Sequence, residues 1–128
     1  VNYSEEIQAK LERSEASLQA ARLLLASEPL DDSTSRAYYT VFHAASALLL
    51  SRGLNFNSHS GVLRAVSLNF VKTGEMKKRL GRDINWLAEL RQVGDYGEVR
   101  KVSGEEAMQA ITIASEFLDK VRSILRLK

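Results

Sequence analysis

Arg91 is the residue with most to explain. Met76, Leu80, Ile84 and Leu87 recur at helical spacing, and the next position on that stripe is an arginine. At about 100° per residue, Arg91 falls about 20° from Ile84 and about 40° from Leu87. A guanidinium inside an apolar stripe must be paired or must line a wet cleft, because burying it bare is costly. Asp95 stands at i,i+4 spacing, where it supplies a pair, and Tyr96 closes the turn. Two readings stay open: a structural Arg91–Asp95 salt bridge at a helix end, or an anion-binding arginine facing a neighbouring helix.

The other candidates for chemistry are weaker alone. A lone histidine on an apolar helix, as His43 is, commonly serves as a hydrogen-bonded core residue. Tyr38 and Tyr39 read first as packing residues with satisfied hydroxyls, and His59 as a residue at a helix start. Lys72, Lys77, Lys78, Arg79 and Arg82, against only Glu75 and Asp83, form either a solvated face or a patch that tracks phosphates. Two histidines sixteen residues apart and no cysteine offer no metal-ligand pair and no disulfide. No phosphate-cradling glycine loop and no Ser-His-Asp signature occurs. No metal and no cofactor is expected.

The elements that must position these residues are helical. Between Arg36 and Arg52 there is no Lys, Glu, Asp or further Arg, in a chain that is 27% charged. On a helix, Ala37, Val41, Ala44 and Leu48 share one side, with Tyr38, Phe42, Ala45 and Leu49 beside them. The remaining lane carries Arg36, Tyr39, Thr40, His43, Ser46 and Ser51. A helix apolar over most of its circumference is interior, so its weakly polar lane must face a cleft, a partner subunit or a layer of buried hydrogen bonds. The uncharged run from Ala37 to Ser51 falls short of the about 18 apolar residues that suggest a membrane span. The polar, acidic N-terminus is unlike a secretory signal, so a cytoplasmic protein is expected. A net charge of +2 permits an RNA or nucleotide partner without demanding one.

In chain order, a first helix from Ser4 to Ser27 carries the stripe Ile7, Leu11, Ser14, Leu18, Ala21 and Leu25. The second is capped by Asp32, Ser33 or Thr34 and ends at Gly53. The third begins near Ser58 or Ser60 and reaches the Lys72–Gly74 break. The fourth spans about Glu75 to Val93, followed by a loop from Gly94 to Gly104. Ser103 and Glu106 have capping-box spacing for the fifth, which carries Ala107, Ile111, Ala114, Leu118, Val121 and Leu125. Residues 1–128 are thus read as one all-α domain, an up-and-down bundle of about five helices, four long and one short.

Ser35-Arg36-Ala37-Tyr38-Tyr39, Phe42-His43-Ala44-Ala45, His59-Ser60-Gly61-Val62, Phe70-Val71-Lys72-Thr73-Gly74, and Leu90-Arg91 through Asp95-Tyr96 together resemble the HEPN domain family, in its small stand-alone prokaryotic branch. The resemblance implies a helical bundle, frequent homodimers, and pairing with a small nucleotidyltransferase in toxin–antitoxin-like operons. Many members are metal-independent ribonucleases, with an arginine followed after four to six residues by a histidine. Arg91 matches that arginine. Tyr96 stands where the first such histidine would be, and Gly97, Glu98 and Val99 do not supply one. In such chemistry arginine stabilises the phosphate while histidine moves the 2′-hydroxyl proton. Tyrosine, with an unperturbed pKa of about 10, is a poor base at neutral pH.

The expectation is a HEPN-type homodimer that binds a nucleotide or RNA phosphate through Arg91. Asp95, Tyr96, Arg36, Tyr39 and His43 lie around it, and a small nucleotidyltransferase is its partner. The rivals are a ribonuclease in which His43 or Tyr96 moves the proton, and a purely structural, protein-binding bundle.

Overall fold

A computed structural model describes residues 4–27, 29–96 and 101–126. Five helices are present: α1 (Ser4–Ser27), α2 (Leu30–Leu50), the short α3 (His59–Val66), α4 (Lys78–Tyr96) and α5 (Gly104–Arg126). A π-helical turn, Ser67–Val71, continues α3. Among the described residues there is no strand.

Helix α2 is the axis of the bundle and packs against each of the other four helices. Small residues make this possible. Ala37, Ala44, Ala45 and Ala47 have no exposed surface, nor has Val41 or Leu48. Against α1 the contact is partly polar: the Ser14 Oγ donates to the Thr40 carbonyl at 2.6 Å, and the Ser33 Oγ to the Ala21 carbonyl at 2.7 Å. These bonds satisfy hydroxyls that are buried with the helix pair. Helix α5 closes the other side with Ala107, Ile111, Ala114, Phe117, Leu118 and Val121, all buried.

Several boundaries differ from the sequence reading. Helix α2 starts at Leu30, with Pro29 at the N-cap (φ −80°), and none of Asp32, Ser33 or Thr34 caps it. Proline presets the dihedral that enters a helix, which leaves Ser33 for α1 and Thr34 for the Leu30 carbonyl. At its far end the chain leaves through Gly53 at φ 74°. There Leu54 N–H bonds Leu49 O and Gly53 N–H bonds Leu50 O, a Schellman arrangement that needs a left-handed residue. Helix α4 begins three residues later than expected and runs on through Gly94 to Tyr96. Gly94 lies on the start of α2, where a Cβ would sit 3.5 Å from the Asp31 Cα. That contact keeps the helix going past a residue that locally favours stopping it. Of the expected loop, 97–100 lie outside the described residues. The Ser58 cap of α3 and the Ser103–Glu106 capping box of α5 both form.

Phe117, fully buried on α5, is a direct test of this packing. Phe117→Ala should lower unfolding stability by about 3–5 kcal/mol, read from urea denaturation. A loss under about 1 kcal/mol would contradict the core described.

Candidate functional site

The apolar stripe that leads to Arg91 is buried, with Met76 in the bend before α4 and the rest on the helix. Met76, Leu80, Ile84 and Leu87 are at most 3% exposed, and Arg91 follows them inward with its side chain 15% exposed. Its guanidinium meets the aromatic lane of α2, with Cζ 4.9 Å from the centre of the Tyr38 ring and 5.4 Å from that of Tyr39. Nη2 donates to the Tyr39 hydroxyl at 3.2 Å. Nε is buried and lies 3.0 Å from Asp95 Oδ2, so the ion pair engages one prong of the guanidinium. The other carboxylate oxygen, Oδ1, accepts from the Ser35 Oγ at 2.6 Å. Asp95 is therefore shared between α2 and α4 rather than chelated by the arginine fork. Arg91 is held by ring faces and by charge, with donors left over.

Both histidines stand beside this group. The Tyr38 hydroxyl is 3.0 Å from His59 Nδ1, and the His59 ring lies 4.2 Å, centre to centre, from Phe42. His43 stacks on Tyr39 at 6.2 Å and meets Phe42 edge-on at 5.7 Å. Helix α3 sets the place of His59. Ser58 caps the helix by accepting the Gly61 N–H, and a Cβ on residue 61 would stand 2.8 Å from the Ser58 Oγ, so glycine keeps the cap open. Burial lowers the His59 pKa below its ordinary value, and the Arg91 charge adds to the effect. Burial also lowers that of His43, helped by Arg13, Lys10 and His59. Burial raises the Tyr38 pKa, partly opposed by Arg91, so this hydroxyl keeps its proton at neutral pH.

Of the residues marked in the sequence, Arg91, Asp95 and Tyr39 come into contact, with His43 next to Tyr39. Arg36 and Tyr96 are exposed and make none of these contacts, Tyr96 being 69% exposed. The basic cluster stands apart. Arg82 and Arg91 are nine residues apart, about half a revolution out of phase at 100° per residue. Arg79 is tied to Glu116 and Asp83, and Lys77 lines a cavity of about 280 Å³ with Leu80, Glu116, Asp119 and Lys120. Among the described residues, Arg82 thus lies on the face of α4 opposite Arg91. Sequence reasoning missed the part played by His59, Tyr38 and Ser35. The short strings SRAYY and HSG were their only trace. Among the described residues no His/Asp/Glu group is placed to hold a metal ion, and no helix is long and apolar enough to cross a membrane.

Residues 7–124 match the family model of the HEPN domain. The chain belongs to the HEPN domain family. This HEPN domain is 42% identical over 113 residues to a "UPF0332 protein" of Thermotoga maritima, covering 88% of this chain and 86% of that one. It is 39% identical over 122 residues to a Methanocaldococcus jannaschii protein named "Putative toxin MJ0605", covering 95% and 90%. A second from that organism, "Putative toxin MJ0142", is 35% identical over 125 residues, covering 98% and 85%. The crystal structure of TT1696 from Thermus thermophilus superposes with a TM-score of 0.79 over 96% of this chain and 98% of that one, at 18% identity. That likeness is one of fold.

Two outcomes follow from the geometry. Arg91→Ala removes two ring contacts, the hydrogen bond to Tyr39 and one ion pair but leaves Asp95 bonded to Ser35 and 27% exposed. The stability loss should be about 1–2 kcal/mol, short of the roughly 3–5 kcal/mol for stranding a buried charge. Thermal melts of Arg91→Ala and Asp95→Asn decide it. The second outcome concerns pH. Both histidines titrate lower in the folded chain than in the unfolded one, so as pH falls below about 6.5 the unfolded chain takes up more protons. Their contribution is complete above that pH and is lost as pH falls through the folded-state values. Melting temperature against pH should drop less steeply in a His43→Gln/His59→Gln double variant than in the wild type. Parallel curves would remove the histidines as the cause.

Proposed function

We propose that this HEPN domain binds a phosphate group of a nucleotide or of RNA at Arg91. We read it as one half of a toxin–antitoxin-like pair whose partner is a small nucleotidyltransferase. The observation that carries the binding reading is the partial use of the arginine. A structural ion pair would engage the guanidinium fork with both carboxylate oxygens. Here Nε alone approaches the carboxylate, 3.0 Å from Oδ2, Nη2 reaches only a neutral phenol, and Asp95 gives its second oxygen to Ser35. The remaining Nη donors, held against two aromatic rings, suit a single phosphate. The separation of the basic cluster from Arg91 favours one bound phosphate over a tracked RNA backbone. The toxin names of two relatives matched over most of their length support the toxin-like role.

A homodimer belongs to the same reading, on grounds different from those in the sequence. The apolar circumference of α2 is largely consumed inside the monomer. What stays partly uncovered is the lane of Tyr39, Phe42, His43 and Ser46. A second copy seated there would cover these rings.

The structural rival is favoured by the 3.0 Å approach of Asp95 to Arg91. The two readings part on ligand titrations with AMP and a short RNA. Arg91→Ala should weaken binding by about tenfold or more, the share of a charge-assisted hydrogen bond. A folded wild type with no detectable affinity for either ligand would leave the structural bundle. Light scattering should find a dimer at tens of micromolar, on the order of ordinary assay concentrations. Incubation with RNA in excess chelator should leave the RNA intact, because Tyr96 replaces the family histidine. Robust cleavage abolished by Arg91→Ala would instead make the protein an endoribonuclease.

A further inference from the structure

Arg91 is not the only group at this site able to donate to an anion. His59 comes from a different helix, on a loop-to-helix junction, and reaches the same two tyrosines. Its ring centre lies 5.5 Å from that of Tyr38 and 6.0 Å from that of Tyr39, the rings that Arg91 covers from α4. One nitrogen, Nδ1, is engaged by the Tyr38 hydroxyl at 3.0 Å. The ring is thereby oriented by a residue only 2% exposed. Phe42 packs against it at 4.2 Å, and the residue remains partly open to solvent. Nε2 has no hydrogen-bond partner among the described residues. An imidazole with one nitrogen fixed and the other free thus shares both of its tyrosine neighbours with the guanidinium of Arg91.

We propose that His59 is the second anion-binding group of the Arg91 site, that the site takes a phosphodiester or phosphate ester between them, and that its affinity is set by the protonation of His59. This rests on the phosphate-binding reading above. The charged and titratable groups that bear on His59 are Tyr38, Tyr39 and His43 from α2 and Arg91 from α4, with Asp95 reaching the site through Arg91. His43 in turn faces Arg13 and Lys10 of α1. With no anion bound, Arg91 and burial hold His59 neutral at pH 7. A bound phosphate offsets the Arg91 charge and accepts a hydrogen bond from Nε2–H, so it favours the imidazolium. By linkage, affinity must then rise as pH falls from the titration of His59 in the complex to that in the free protein. Tyr38 accommodates the change, because its hydroxyl donates to neutral Nδ1 or accepts from protonated Nδ1. Arg91 supplies a fixed charge and His59 a conditional one.

The test uses the full chain and the deoxydinucleotide dTpdT. This diester lacks the 2′-hydroxyl needed for cleavage, and its phosphate does not titrate near neutrality. Its affinity is measured by calorimetry at about pH 5.5 and about pH 8, for the wild type, His59→Gln and Arg91→Ala, each checked for fold by circular dichroism. The wild type should bind about tenfold more tightly at the lower pH, the ratio for one unit of pKa change. His59→Gln should bind with a small or absent pH slope and near the wild type's high-pH affinity. In parallel, the His59 ring resonances of the wild type should report a higher pKa with dTpdT bound, a reading that does not depend on any variant folding. A wild-type slope retained in full by His59→Gln, or a His59 titration unmoved by dTpdT, overturns the His59 role while leaving phosphate binding by Arg91 standing. No binding by the wild type at either pH overturns both.

Discussion

The close packing of α2 is the constraint on which the rest of the structure depends. A helix that touches four others must present small side chains where backbones approach and large ones where gaps remain. Ala37, Ala44, Ala45 and Ala47 do the first, and Tyr38, Leu48 and Leu49 the second. Because so much of its surface is committed, the polar groups it carries inward must find partners within the bundle. Ser33 bonds to an α1 carbonyl, and the Thr40 carbonyl accepts from Ser14. The aromatic lane is the exception, since it finds a cation.

That cation is where folding and function meet. The apolar stripe of α4 drives this helix against α2, and the same register delivers Arg91 to the faces of Tyr38 and Tyr39. The cost of desolvating a guanidinium is offset by ring faces, one phenol and a nearby carboxylate. None of these uses the full fork. A site assembled in this way is rigid without being saturated, which suits the anion-binding role proposed above.

The two histidines extend the site by different routes. His43 rides on α2, where the charges of Arg13 and Lys10 add to burial in lowering its pKa. His59 arrives on α3, anchored through Nδ1 to a buried hydroxyl. No histidine follows Arg91 after four to six residues, and Tyr96, at the first of those positions, is exposed to solvent. The nearest imidazole to Arg91's ring partners therefore comes from across the fold.

Periodicity carried most of the architecture, because each helix here is amphipathic or apolar by local pattern alone. The stripes of α1, α4 and α5, the Ser58 cap and the Ser103–Glu106 box depend on residues within a few positions of one another. The inward register of Arg91 and its neighbour Asp95 were legible for the same reason. What local pattern could not decide was every feature joined over long separations. Helix α4 passes Gly94 because that glycine lies on the start of α2 and because Ser35 bonds Asp95 sixty residues away in sequence. These contacts outweigh a glycine's helix penalty of about 1 kcal/mol. The exclusion of Arg36, Tyr96 and the basic cluster from the site follows from the rotation of α2 and α4 against each other. The recruitment of His59 follows from the path of the 51–58 connection. Helical periodicity specifies which residues share a face, but only the packed bundle specifies what that face meets.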